Sequence, residues 1–269
     1  MRLGRALGYY GYSLIELILK IKNWPALLPL FLGRTSSEHR IIKLRHLPLA
    51  FLVRSAMDVW SVKETFFDQF YTRYSLPVQD GWTVVDVGAG IGDFSIFAAQ
   101  ANPSGMVYAF EPFPDSYALL IQNLAENQVE NVHAFQKAIW SKGGELELDL
   151  SSGEPLQFTS QDKLATEKPA DVINIEALPL EQVISAENLE SIDLLKMDCE
   201  GAEYEILFGA QPQTLAQIER IILEYHDLDQ NRNHSALAAY LEEQGYRVTC
   251  HGNLVHDHLG YLYAEKGLR

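Results

Sequence analysis

From Gly81 onward, apolar runs of strand length alternate with segments whose apolar positions recur every three or four residues. This alternation predicts a largely parallel sheet covered by helices on both faces. The strands are expected at Thr83–Val87, Met106–Phe110, 132–136, 192–197 and 218–225, followed by 247–250 and 261–264. Helices are expected near 94–101, 116–127, 202–208 and 235–244, with Asp115 as a cap and Gly209 and Gly245 as stops. The last two strands are separated by a loop too short for a crossover helix, so the sheet should end in an antiparallel pair. The expected fold class is α/β: a Rossmann-like, mostly parallel seven-stranded sheet with an antiparallel final strand and an N-terminal helical extension.

Ahead of this unit the pattern differs. Residues 1–40 read as an extension, 41–80 as lead-in strands and a helix packed on the core, and 81–269 as the main domain. Within the lead-in, 41–44 and 50–53 read as short strands, and 62–71 as a helix with Phe66, Phe67 and Phe70 on one side. Between 141 and 180, a polar–apolar alternation around Gly143 and Gly144 predicts a β-hairpin and a variable loop. No internal repeat is visible.

The stretch 14–32 is apolar, but Glu16, Lys20, Lys22, Pro25 and Pro29 interrupt it, which excludes a spanning helix and argues against a signal peptide. Leu14, Ile15, Ile18, Leu19 and Ile21 fall roughly on one helical face. That face is expected to pack on the domain or on a second copy in a homodimer; the alternative is peripheral contact with a membrane.

Composition narrows the function. The 269 residues carry a net charge of −15, and 47% are hydrophobic. Proteins that bind nucleic acid gain affinity by neutralising phosphates, so this balance argues against such a partner. Cys199 and Cys250 lack metal-ligand spacing and fit a reducing cytoplasm.

Residues 83–94 read TVVDVGAGIGDF: a strand, three glycines at 88, 90 and 92, then a helix start. A dinucleotide fingerprint has a third glycine where Asp93 stands here. Asp86, two positions before Gly88, suits the ammonium of S-adenosylmethionine rather than a pyrophosphate. Asp86, Gly88, Ala89, Gly90, Gly92, Asp93 and Phe94 are therefore assigned to that cofactor. Glu111, 21 residues after Gly90 and at the end of the next strand, is suited to accept hydrogen bonds from both ribose hydroxyls. Pro112 and Phe113 are assigned to the adenine wall, and Lys137 and Ala138 to its edge.

Strand ends further along carry Asp198, Cys199, Glu200 and Glu203, then Glu224 and His226. Ligands of open α/β sheets bind outside the carboxyl ends of the strands. Asp198, Glu224 and His226 are the candidate catalytic residues, with His226 the preferred base by its ordinary pKa and Asp198 next. Asp198 also serves as a candidate for the methionine end. Glu200, Arg54 and Asp58 are candidates on the acceptor side, although Arg54 and Asp58 are equally able to pair with each other. The same acids and histidine form a donor set that a divalent ion can use; the favoured reading is metal-free.

The runs DVGAGIGDFS (86–95), FEP (110–112), LKMDCEGAE (195–203) and LEYH (223–226) resemble the FkbM family of methyltransferases, over about residues 41–265. The resemblance implies a class I fold, S-adenosylmethionine and O-methylation, often of sugars or polyketide-type molecules. It also places Glu111 at the ribose and Asp198 at the methionine end or the acceptor. An N- or C-methyltransferase, or a non-catalytic protein on the same fold, are the alternatives. The amine-methylation motif Asn/Asp-Pro-Pro-Tyr/Phe is absent from the fourth strand of the sheet.

Overall fold

The computed structural model describes residues 2–32, 39–149, 172–253 and 255–267. The chain opens with α1 (Arg2–Lys20), a 3₁₀ turn (Trp24–Leu27) and α2 (Leu28–Phe31). The antiparallel pair β1 (Arg40–Lys43) and β2 (Ala50–Val53) follows, then α3 (Ala56–Lys63), a π-helical turn (Glu64–Asp68) and α4 (Phe70–Arg73). The sheet region comprises β3 (Thr83–Val87), α5 (Asp93–Ala101), β4 (Met106–Phe110), α6 (Pro114–Glu126) and β5 (Val132–Phe135). Next come β6 (Ala138–Ile139), β7 (Gly144–Asp149), β8 (Val172–Leu178), α7 (Leu180–Ala186) and β9 (Leu194–Met197). The chain finishes with α8 (Glu203–Gly209), α9 (Pro212–Ala216), β10 (Arg220–His226), α10 (His234–Glu243), β11 (Tyr246–Gly252) and β12 (Leu259–Lys266).

Seven strands lie in the order β11-β12-β10-β9-β3-β4-β5. Only β12 runs against its neighbours, as the short final loop predicts. From β3 the chain winds outward through β4 to β5, then returns to β9 on the other side of β3. That reversal makes the β3/β9 boundary the switch point, where a crevice opens at the carboxyl ends of the strands. The central strands β3 and β9 are buried on both faces, which is why they are apolar after Thr83 apart from Asp86 and Lys196.

Several local expectations change. The lead-in helix starts at Ala56, not at 62, because Ser55 and Asp58 form a capping box ahead of it. It then widens into a π turn that ends at Gln69 in the left-handed region. Asp115 does not cap α6: Pro114 takes the first helical position and Phe113 precedes it. The short helices α7 and α9 had no clear period to reveal them. The expected hairpin is the antiparallel pair β7/β8, which β6 extends into a three-stranded sheet; residues of its loop, 150–171, lie outside those described.

The N-terminal helix packs on the opposite side from the one its leucines and isoleucines suggest. Ser13, Glu16 and Leu17 are buried, whereas Leu14, Ile15, Ile18 and Leu19 stay exposed; of the expected face only Ile21, beyond the helix, is buried. The packed side carries charge. Lys63 is fully buried and bonded to Asp68 at 2.5 Å, with Glu16 3.8 Å away and itself 2.7 Å from Lys20. Buried in this way, each charge lies near an opposite one. Leu17 and Ile21 join a core that also contains Phe51, Val62 and Leu119.

Asn123 fastens the lead-in to this scaffold. Its Oδ1 accepts from Leu52 N at 2.7 Å, and its Nδ2 donates to Ile91 O at 2.9 Å and Leu52 O at 3.2 Å. It is fully buried. Asn123→Ala leaves these backbone groups without partners and should cost about 1–3 kcal/mol, read as a lower urea midpoint.

Candidate active site

The glycine loop is shaped by its neighbour across the sheet. Gly88 has φ +72°, and a Cβ there would lie 1.9 Å from the carbonyl oxygen of Asp198. No other residue fits so close an approach. Gly92, at φ +86°, leads directly into α5. The amides of Gly88 and Ala89 donate to Phe110 O, each at 3.0 Å.

Beneath the loop lies a charged core. Asp86 has no solvent exposure; it sits 3.0 Å from Lys196 Nζ and accepts from Ser95 Oγ at 2.6 Å. Lys196 also donates to Gly88 O at 3.0 Å. Burial works to lower the Lys196 pKa, but Asp86 and Asp198 carry it above its ordinary value. Asp86 is thus enclosed beneath the loop and does not present its carboxylate to the ammonium of a bound ligand. Asp93 is likewise internal: Thr65 and Ser61 donate to it, and burial raises its pKa despite them. Phe94 is buried edge-on against Tyr71. These residues build the floor that supports the glycines.

Glu111 is different. Gly90 N donates to its Oε2 at 2.7 Å and Phe113 N to its Oε1 at 2.9 Å. Burial pushes its pKa up to about 7, against the pull of these amides, Lys196 and Arg54. Each oxygen retains a second lone pair, so the carboxylate can still accept two hydroxyls. Pro112 is buried and Phe113 half-buried beside the small sheet. Lys137 is spent on a partly exposed contact with Glu176 at 2.9 Å, and Ala138 is buried in β6.

On the other side of the switch point stand the acids. Glu200 and Gly201 both adopt left-handed backbone conformations, which turns the chain after Asp198. Glu203, fully buried, ties this turn to β10. Its Oε2 accepts from Gly201 N at 2.8 Å, and its Oε1 accepts from His226 N at 2.9 Å. The same oxygen lies 3.1 Å from His226 Nδ1, while His226 Nε2 lies 2.8 Å from Glu200. Burial works to lower the His226 pKa, yet these two carboxylates bring it up to about 11. At neutral pH the ring is an imidazolium with no lone pair to offer. Both nitrogens of His226, the base expected from the sequence, thus lie beside carboxylates.

The groups with proton capacity are Glu64 and Glu224. Burial, Asp198 and Asp68 push Glu64 up to about 8, and Trp60 Nε1 donates to it at 3.0 Å. Burial, then Asp198 and Glu64, raises Glu224 well above the carboxylate range. Asp198 accepts from Tyr71 Oη at 2.7 Å. The sequence reading missed Glu64 as a functional group; an acid on an aromatic-rich helix was the available signal. Lys196 was also missed, although a lysine inside an apolar strand calls for a buried partner. Arg54 and Asp58 pair with each other through two contacts, 2.9 and 3.1 Å.

Asp198, Glu200 and His226 bring ligand-type atoms within 4.8 Å of one another. Within this set His226 Nε2 lies 2.8 Å from Glu200.

Residues 86–248 match the family model described as the methyltransferase FkbM domain. The chain belongs to the FkbM methyltransferase family. It is accordingly an S-adenosylmethionine-dependent methyltransferase on a Rossmann-like sheet. Methyltransferase sdnD of Sordaria araneosa is 31% identical over 214 residues, covering 70% of this chain and 81% of its own. The 31-O-demethyl-FK506 methyltransferase FkbM of Streptomyces tacrolimicus is 29% identical, covering 62% and 74%. The 2-O-methyltransferase NoeI of Sinorhizobium fredii is 26% identical, covering 59% and 69%. Among solved structures, methyltransferase FkbM from Methylobacillus flagellatus superposes with a TM-score of 0.52 at 17% identity. It covers 73% of this chain and 47% of its own, and supports the fold.

The buried pair Asp86–Lys196 lends itself to a direct check. Lys196→Met leaves an uncompensated buried carboxylate and should cost about 3–5 kcal/mol in chemical denaturation. Asp86→Asn on that background should recover part of the loss.

Proposed function

We propose that this protein transfers a methyl group from S-adenosylmethionine to a hydroxyl of an uncharged sugar or polyketide-like small molecule. The observation that carries this reading is the carboxyl cluster of Glu64, Asp198 and Glu224 at the ends of β9 and β10 and the lead-in helix. Two relatives methylate oxygen by their names, the 31-O-demethyl-FK506 methyltransferase and the 2-O-methyltransferase NoeI.

S-adenosylmethionine supplies an electrophilic methyl group. Glu111 suits the ribose hydroxyls, since both of its oxygens are oriented by backbone amides and keep a free lone pair. Gly90, which faces open space, suits a ligand lying against the backbone, with Asp198 assigned to the methionine end. Pro112, Phe113 and Ala138 are assigned to the adenine side.

As an acceptor oxygen gains a methyl group it must lose its proton. A carboxylate with a pKa of about 8 takes that proton far more readily than an ordinary one. Glu64 is the proposed base, and Tyr71 orients Asp198 beside it. His226, as an imidazolium, offsets part of the negative charge at the mouth. With Glu200 also there, an anionic acceptor would meet like charge, which favours a neutral one. The Asp198–Glu200–His226 set is assigned to this electrostatic role and not to a metal.

Two expectations follow from these assignments. Glu111→Ala should weaken S-adenosylmethionine binding by about 1.5–3 kcal/mol in calorimetric titration; unchanged affinity removes the ribose assignment. Glu64→Gln should bind the cofactor normally but lose ~10²–10⁴-fold in kcat. In the unmodified protein, kcat/KM should rise as pH passes about 8 and Glu64 gives up its proton. The stability sign is opposite: the folded form holds a proton that the unfolded form releases earlier, so stability falls as pH rises towards about 8. Glu64→Gln should therefore be at least as stable at that pH in thermal melts.

A further inference from the structure

The face of α1 turned away from the core presents Leu14, Ile15, Ile18 and Leu19, between 42% and 62% exposed. Their spacing, i, i+1, i+4 and i+5, places them on one continuous side of the helix. The turn that follows adds Leu28 and Leu32, 53% and 69% exposed. Isolated surface leucines are ordinary, but a contiguous strip of this kind marks a contact surface.

The charge around this strip is opposite to that of the rest of the molecule. Residues 1–45 hold eight Lys/Arg against two acids, a net +6; with −15 overall, the remaining 224 residues carry −21. Three of those cations gather where α1 ends. Arg45 donates to Leu19 O at 2.8 Å and Ile21 O at 3.3 Å, and the backbones of Lys22 and Lys43 are bonded to each other at 2.8 Å. The side chains of Lys22, Lys43 and Arg45 are all exposed. An apolar helix face bordered by cations is the combination that lies in the plane of an anionic lipid surface.

We infer that the N-terminal helix docks this enzyme on an anionic membrane surface, with Leu14, Ile15, Ile18 and Leu19 against the acyl boundary and Lys22, Lys43 and Arg45 on headgroup phosphates. A second copy of the chain fits this face less well. Residues 1–45 hold only two acids, so the same face of a second copy brings little opposite charge to these cations, whereas an anionic lipid surface does. The acidic mouth reinforces the orientation: an anionic surface repels the −21 portion and attracts only the N-terminal segment. The helix does not cross the bilayer, and no helix among the described residues is long and apolar enough to do so.

The full chain should co-sediment with vesicles of equimolar phosphatidylglycerol and phosphatidylcholine, but not with phosphatidylcholine alone. Binding should weaken as salt rises. Lys22→Ala and Lys43→Ala should each lower the partition coefficient about fivefold. Ile15→Asp with Ile18→Asp should abolish binding, while the thermal midpoint and S-adenosylmethionine affinity stay unchanged because both side chains are exposed. Failure to bind the anionic vesicles overturns the inference, as does binding that survives the double aspartate variant. A dimer seen by light scattering and split by that variant would also overturn it, by assigning the face to a second copy.

Discussion

The buried ion pair between Asp86 and Lys196 is the constraint on which the site depends. The two residues are register partners on β3 and β9, the strands that meet at the switch point. Each is costly to bury alone, and together they fix how these strands align. The consequences spread outward through hydrogen bonds. Lys196 holds the carbonyl of Gly88, and the carbonyl of Asp198 approaches so closely that Gly88 can carry no side chain. The loop therefore takes a left-handed path, and the amide of Gly90 is aimed at Glu111. One ammonium under the sheet thus determines where a carboxylate can stand above it.

A second arrangement governs protons. Glu203 binds the turn after Asp198, the backbone of β10 and the ring of His226, so it fixes the relative position of two strand ends at once. Together with Glu200, it raises the pKa of His226. Burial and then Asp198 raise both Glu64 and Glu224, and Glu64 adds to the rise of Glu224. The proposed division, in which the acids exchange protons and the histidine offsets charge, follows from these neighbours and not from ordinary pKa values.

The sheet was legible because its period is unambiguous: Thr83–Val87 and Met106–Phe110 begin and end where the apolar runs do. The glycine loop and Glu111 were legible because close approach and strand-end acids leave local signatures. What escaped was decided by partners remote in sequence. The packed side of α1 places Glu16 near Lys63, 47 residues further along the chain. Asp86 and Asp93 looked available to a ligand from the loop pattern, yet Lys196 and Thr65 already engage them. Arg54 and Asp58 are local partners by contrast, and the mutual pairing that their spacing offered is the one found, together with a helix cap.

The origin of the acceptor-side residues bears on how specificity is built. The region matched to the family, 86–248, contains Glu111, Asp198, Glu224 and His226. Trp60, Glu64 and Tyr71 lie before it, and Tyr261 lies after it, register-paired with Glu224. Phe70, Tyr71 and Tyr74 all pack on Tyr261, so the lead-in and the antiparallel strand β12 form one aromatic wall. The lead-in is anchored independently of any ligand, by Asn123 on one side and by Asp93 on Ser61 and Thr65 on the other. The aromatic wall and the glycine loop are thus held by different contacts, ring packing on Tyr261 for one and the Asp86–Lys196 pair for the other. A change in the lead-in can therefore reshape this wall without disturbing the ion pair beneath the glycines.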